Sequence, residues 1–146
     1  MNEIREVIER KAALLETGDA KAILSYYAPG FVEFNLAPPL RQPAESQNPA
    51  ALETWMANFE APPRREVTQL EITTDGDVAF ATSIDSLSAV PRGADEGFTL
   101  WFRVTLGLRR IDGRWLVTHE HESVPFEMDG SFRASTDLTP DPAPAD

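Results

Sequence analysis

The chain has 146 residues, with 13 Lys and Arg against 24 Asp and Glu and no cysteine. Its length fits one domain at roughly 100–200 residues each, and a domain of that size buries about two-thirds of its unfolded surface without staples. The absence of cysteine excludes disulfides, thiolate metal ligands and a cysteine nucleophile within it. A formal charge of −11 repels nucleic acid and anionic membrane surfaces alike.

The first fifteen residues, MNEIREVIERKAALL, are charged throughout and lack the continuous apolar core of a secretory signal. No run approaches the ~18 apolar residues of a membrane span. The expectation is a soluble cytoplasmic domain with neither nucleic acid nor membrane as a partner.

Ile4, Val7, Ile8, Leu14 and Leu15 recur at three- and four-residue spacing, which predicts an amphipathic helix over 3–16 with Asn2 as its N-cap. Gly18 ends it. Asp19 caps a shorter helix that buries Ile23, Leu24 and Tyr27 and stops at Pro29-Gly30. Phe31–Phe34 reads as a brief strand, after which Pro38 and Pro39 forbid further ladder pairing. Residues 41–48 form a polar loop. Asn48 then caps a third helix with Pro49 at its first position, carrying Leu52, Trp55, Met56 and Phe59 on one side and ending at Pro62-Pro63.

From Arg65 to about Val124 the chain is strand-like, with runs over 67–74, 78–87, 98–111 and 115–124. Asp75-Gly76-Asp77 and Asp112-Gly113 supply hairpin turns. Runs this long predict a bent sheet with bulges. The domain is expected to span 1–138, with residues 139–146 a disordered tail rich in Pro, Asp and Ala. Helices followed by a meander of long strands make an α+β fold. The sheet, mixed but mainly antiparallel, is expected to curve strongly around three N-terminal helices as a conical barrel. Its concave face then walls a cavity, with the third helix and the loop 37–48 as lid.

The element order, the Tyr26-Tyr27-Ala28 helix end, Ala37-Pro38-Pro39-Leu40, the Trp-bearing helix and above all TLWFRVTLGLRRIDGRWLVTHEHESVPFEMDGS resemble the SnoaL-like group. That group belongs to the nuclear transport factor 2-like, or ketosteroid isomerase-like, superfamily. The resemblance covers about residues 3–138 and implies a cone-shaped α+β domain, a homodimer through the sheet, and a pocket reused by isomerases, cyclases, hydrolases, dehydratases and binding modules. It therefore leaves function to the site. Steroid isomerases of this fold use a Tyr oxyanion donor, an Asp base and a second, protonated acid. The matching positions here fall near Lys11, Phe34 or Asn35, and Gly107. That set does not reproduce the isomerase triad.

The last strand carries the remaining chemistry. Period-two alternation sets Trp115, Val117, His119, His121 and Ser123 against Leu116, Thr118, Glu120 and Glu122. Its partner sets Leu100, Phe102, Val104, Leu106 and Leu108, which must face the helices, against Trp101, Arg103, Thr105, Gly107 and Arg109. Either Glu120 or His119 looks inward, and one bulge exchanges them. An inward Glu120 near Trp55, Phe59 and Phe102 would have its pKa raised by desolvation and serve as a general acid or base. Pairing with Arg103 or Arg109 is its structural alternative.

Glu120, His119 and Tyr27 are the catalytic candidates. Trp55, Phe59, Phe34, Asn35, Phe102, Asp85, Glu122 and His121 are the candidate ligand contacts. Glu33 is a weaker candidate of the same kind as Asp85. His119-x-His121 has the spacing of strand-borne metal ligands, but no third ligand stands out, so no metal is expected. No nucleophile motif, phosphate loop or dinucleotide fingerprint occurs, and no cofactor is expected. Two functions fit: a cofactor-free acid–base enzyme (isomerase, hydrolase or lyase) on an apolar or carbonyl-bearing small molecule, or a non-catalytic ligand-binding or oligomerisation module.

Overall fold

The computed structural model describes residues 1–141; most of the tail 139–146 lies outside the described residues. Helix α1 spans Asn2–Leu14 and runs into a 3-10 turn, Leu15–Thr17. Its N-cap position is Met1, with no side-chain cap, so Asn2 lies inside the helix instead of capping it. Gly18 takes the left-handed conformation (φ 74°) that closes the turn. Helix α2, Ala20–Leu24, is capped by the Asp19 side chain, which accepts from the Ala22 N–H at 3.0 Å.

Strand β1 begins earlier than the sequence suggests, at Tyr27, and runs to Phe34. The expected helix over Tyr27 stops at Leu24 because the Tyr27 backbone pairs with Val117. Pro29-Gly30 is not a helix stop but an irregularity inside β1, with Gly30 at φ 71° and the pairing shifted between Tyr27 and Val32. After the loop comes α3, Pro49–Met56, capped by Asn48, which accepts from Ala51 N–H at 2.9 Å. Phe59 lies beyond its end.

Strands β2 (Arg64–Asp75), β3 (Val78–Ala89), β4 (Phe98–Ile111) and β5 (Arg114–Ser123) follow as hairpins. The sheet order is β1-β5-β4-β3-β2, with β1 parallel to β5 and every other pair antiparallel. The sheet is curled like a cone but not closed, leaving β1 and β2 as its edges.

The apolar stripe of α1 lies on the concave face. Ile4 and Ile8 join Phe102, Val104, Leu106, Leu108, Ala81, Trp115 and Val117 in one buried cluster. Leu15, Ala20, Ile23 and Met56 form a second under α2 and α3. Burying a side chain of this size contributes about 1.5–3 kcal/mol, so the helices are held mainly by this face.

Two register shifts decide what else that face carries. Leu108 pairs with Val117 and Gly107 with His119, so Thr118 is an extra residue in β5. Its hydroxyl donates to the Gly107 carbonyl at 3.2 Å. The bulge moves every later residue of β5 to the other face. Trp115 and Val117 therefore share the concave face with Glu120 and Glu122, and His119 and His121 turn outward. A second shift, between Thr68 and Glu71 with Gln69 at φ 53°, lets Arg65 and Val67 face inward together with Ile72.

Candidate functional site

Between the concave face, α1, α2, α3 and the loop 35–48 lies a cavity of about 350 Å³. Apolar side chains form most of its wall, among them Leu15, Ile23, Phe31, Leu52, Trp55 and Phe102. Asn35, Gln42, Gln47 and Asn48 bring amides to the loop side. Lys11, Tyr27, Arg65, Glu120, Glu122 and Glu33 add the ionisable groups.

Lys11 lies between Ile8 and Leu15 on the α1 stripe, which points its ammonium into the fold. It is 4% exposed, and Glu120 is 2% exposed. The Lys11 Nζ donates to Glu120 Oε1 at 3.3 Å and to the Tyr27 hydroxyl oxygen at 3.1 Å. The Tyr27 hydroxyl donates to Glu120 Oε2 at 2.7 Å. Arg65 adds a longer contact to Glu120, 3.7 Å from Nη1, and lies 3.1 Å from Glu122 Oε2. Its Nε donates to Asp85 Oδ2 at 2.8 Å, and the Ser83 hydroxyl donates to Asp85 Oδ1 at 2.6 Å. Buried charges persist only when paired and hydrogen-bonded, and the chain Ser83–Asp85–Arg65–Glu120–Lys11–Tyr27 meets that demand.

The carboxyl groups differ because their partners differ. Burial by itself would raise Glu120, but Lys11 and Arg65, with the hydrogen bonds from Tyr27 and Lys11, hold it below the ordinary carboxylate value. The desolvation expected to bring Glu120 toward neutrality is overcome by these partners. Glu122 is pushed up to about 7 by burial, against the pull of Arg65 and with the charge of Glu120 adding to the rise. Glu33 pairs with Glu120 in the β1–β5 register and has no cation or donor on its carboxyl among the described residues. Burial, then the charges of Glu120 and Glu122, push it up to about 7. The Tyr27 phenol is raised well above its usual value by burial and by Glu120. Arg65 keeps its proton more tightly than a free guanidinium, since three carboxylates outweigh its burial.

The sequence candidates therefore separate. Glu120, Glu122, Tyr27, Trp55, Asn35 and Phe102 line the cavity. Asp85 sits behind Arg65 and reaches the cavity only through it. Phe59 stacks on Trp55 at 5.3 Å and on Phe98 at 6.2 Å, outside the lining. Phe34, His119 and His121 form an aromatic cluster on the outer face, with Phe34 5.2 Å and 5.4 Å from the two imidazoles. The period-two reading failed at Thr118, and His119 is carried away from the cavity with it. Among the described residues no group of three or more His, Asp or Glu is arranged to hold a metal.

Two groups escaped sequence reading as site residues in their own right, Lys11 and Arg65. Lys11 was legible: it falls seven residues after Ile4, three after Ile8 and four before Leu15, on the buried stripe. Arg65 was not, because the bulge at Gln69 that sets its face has no clear sequence signal.

Comparison with known proteins places the fold. Residues 4–127 match the SnoaL-like domain family. A nuclear transport factor 2-like protein of unknown function from Pseudomonas putida is similar at 32% identity, with 95% of each chain covered and a TM-score of 0.81. A candidate scytalone dehydratase from Novosphingobium aromaticivorans shares the fold at 12% identity, covering 97% of this chain and 95% of that one, TM-score 0.76. So does a candidate calcium/calmodulin-dependent protein kinase II association domain from Xanthomonas campestris, at 19% identity, 83% and 84% coverage and TM-score 0.71. No curated protein matches the chain.

Lys11→Met leaves Glu120 buried without its closest cation and is expected to destabilise the fold by about 3 kcal/mol. Adding Glu120→Gln should recover much of that loss, as urea denaturation of the single and double variants would reveal. Glu33 and Glu122 are raised in the folded state, so the native protein binds more protons than the unfolded chain between their unfolded values and about 7. Their contribution to stability is present at low pH and is lost as pH rises through about 7. Urea midpoints measured at pH 5, 6, 7 and 8 should fall along that series, and fall less in Glu33→Gln.

Proposed function

Because this chain belongs to the SnoaL-like family of the nuclear transport factor 2-like superfamily, we propose that its cavity carries out cofactor-free acid–base chemistry on a small apolar or carbonyl-bearing molecule. Glu33 takes and returns the proton. The observation that carries this reading is the contrast between neighbours on β1 and β5. Glu120 is tied on both oxygens and held ionised, while Glu33 faces the same cavity untied, with its pKa moved up to about 7. A general base works best when its pKa lies near the operating pH, and an untied carboxyl is free to reach a substrate.

In this mechanism the substrate ring packs on the apolar wall. Glu33 removes a proton beside the carbonyl, and negative charge gathers on the substrate oxygen. Lys11 has three N–H donors, two of them engaged with Tyr27 and Glu120; the third and the Arg65 guanidinium provide the positive field that the developing oxyanion needs. Glu120 and Tyr27 hold Lys11 in place, and Glu122 and Asp85 hold Arg65. Glu120 and Glu122 also make Glu33 a stronger base through their charge. Returning the proton to another carbon gives an isomerase; expelling a leaving group gives a lyase. His119, on the outer face, takes no part.

The outer face supports a second element of the proposal, a homodimer through the sheet. Arg103, Arg109 and the two imidazoles lie on its β4–β5 half, and the exposed Glu66 and Glu71 lie on β2. A two-fold axis sets the basic strip of one copy against the acidic strip of the other. Sedimentation equilibrium should give twice the chain mass, and the charge reversal Arg103→Glu with Arg109→Glu should return the monomer; a monomeric parent protein defeats this element.

The chemistry is tested with 2-tetralone in D2O, following exchange of its α protons by NMR. The protein should accelerate exchange well beyond an equal concentration of free acetate, and Glu33→Gln should lose about 10²–10⁴ of that acceleration. Exchange no faster than with acetate, or an undiminished rate in Glu33→Gln, defeats the assignment.

A further inference from the structure

Charges in the cavity do not balance. Three carboxyl groups, Glu33, Glu120 and Glu122, line it beside two cations, Lys11 and Arg65. Asp85, behind the wall, already holds the Arg65 Nε at 2.8 Å. Lys11 answers Glu120 and Arg65 answers Glu122, which leaves Glu33 with no cation in contact; Lys11 and Arg65 act on it only from a distance. A half-buried carboxylate turned toward a mostly apolar cavity is costly unless a proton or a cation neutralises it.

The surroundings of Glu33 suit a cation with an organic body. Phe31, two residues earlier on β1, shares its face and lines the cavity, with its ring 4.4 Å from that of Tyr27. Trp55 brings a further ring to the lining, and so does Phe102, whose face already carries the Arg65 guanidinium 5.2 Å from the ring centre. Aromatic faces attract ammonium groups, more so away from water. The net charge of −11 draws cations toward the protein and disfavours approaching anions.

We infer that the ligand of this cavity carries one protonated nitrogen on an apolar, ring-sized body, the nitrogen seated against the Glu33 carboxylate and the body against the aromatic wall. The inference rests on the cavity being a small-molecule site, as proposed above, and gives the ligand its chemistry; it does not depend on turnover. In the empty cavity a proton on Glu33 lessens the surplus. The ammonium replaces that proton, so binding strengthens as pH rises toward and past 7, where Glu33 is ionised and the amine still charged.

Three probes with one bicyclic body separate the possibilities: 2-naphthylmethylamine, a cation at neutral pH, 2-naphthylmethanol, uncharged, and 2-naphthoate, an anion. Isothermal titration of the full chain at pH 7.5 should show the amine binding at least tenfold more tightly than the alcohol, with the naphthoate weakest. Glu33→Gln should bring the amine down to the alcohol while the alcohol binds as before, which also shows that the variant is folded. Equal affinity for amine and alcohol in the parent protein overturns this inference and leaves the cavity as a ligand site. An amine preference that survives in Glu33→Gln overturns the seat at Glu33. If none of the three binds, the inference falls together with the small-molecule reading on which it rests, whereas failed tetralone exchange with intact amine binding removes only the catalytic reading.

Discussion

Glu120 is a carboxylate that the fold places out of reach of water, and much of the site follows from keeping it charged there. Removing such an ion from water costs several kcal/mol even after relaxation, so a single partner is not enough. Three elements converge on it: α1 through Lys11, β1 through Tyr27 and β2 through Arg65. Those contacts tie the helix to both edges of the sheet, and they fix two cations and a phenol at defined places in the cavity. Asp85 and Ser83 then satisfy the far side of Arg65, and no buried side-chain nitrogen or oxygen among the described residues is left without a partner.

Next to this fixed anion, Glu33 has the opposite character. The two residues are register partners on adjacent strands, yet one has donors on both oxygens and the other has none among the described residues. Their ionisation separates for that reason, with Glu120 held down and Glu33 lifted to about 7 by burial and by its anionic neighbours. Paired acids driven apart in this way are a recurrent feature of sites that move protons. The inferred ligand preference draws on the same imbalance, since whatever settles beside Glu33 must lessen negative charge. The proposed proton transfer and the proposed cation recognition draw on this one arrangement in different ways, the first needing Glu33 untied and the second occupying it.

The fold itself is neutral on function. Structures that share it include one named as a candidate dehydratase and one named as a candidate association domain, and this reuse means the site must carry the argument. Here the concave face is divided. Its β4 half, from Phe102 to Leu108, holds the helices by apolar contact, and its β1 and β5 edge, with the inward end of β2, holds the ionisable groups. The ionisable groups are therefore gathered at the open end of the cone, where the loop 35–48 and α3 leave space, and the packed end supplies the rigidity that holds them.

Local chemistry in the sequence determined most of the elements, though not the end of α2 or the start of β1, and the two candidate surfaces of the sheet. The apolar stripe of α1, the Asp19 and Asn48 caps, the Asp-Gly turns and the aliphatic alternation of β4 each act over a few residues, and each appears where its spacing places it. The carboxylates of β5 were also marked by type. Tertiary structure decided which way they point and what they meet. Alternation along β5 loses its phase at Thr118, because the extra residue is absorbed by pairing with Gly107 on a strand some ten residues away; the same holds for Arg65 behind the irregularity at Gln69. A bulge is a property of two strands together, so the inward turn of Glu120, the outward turn of His119 and the lack of a cation in contact with Glu33 became defined only when the sheet curled around α1.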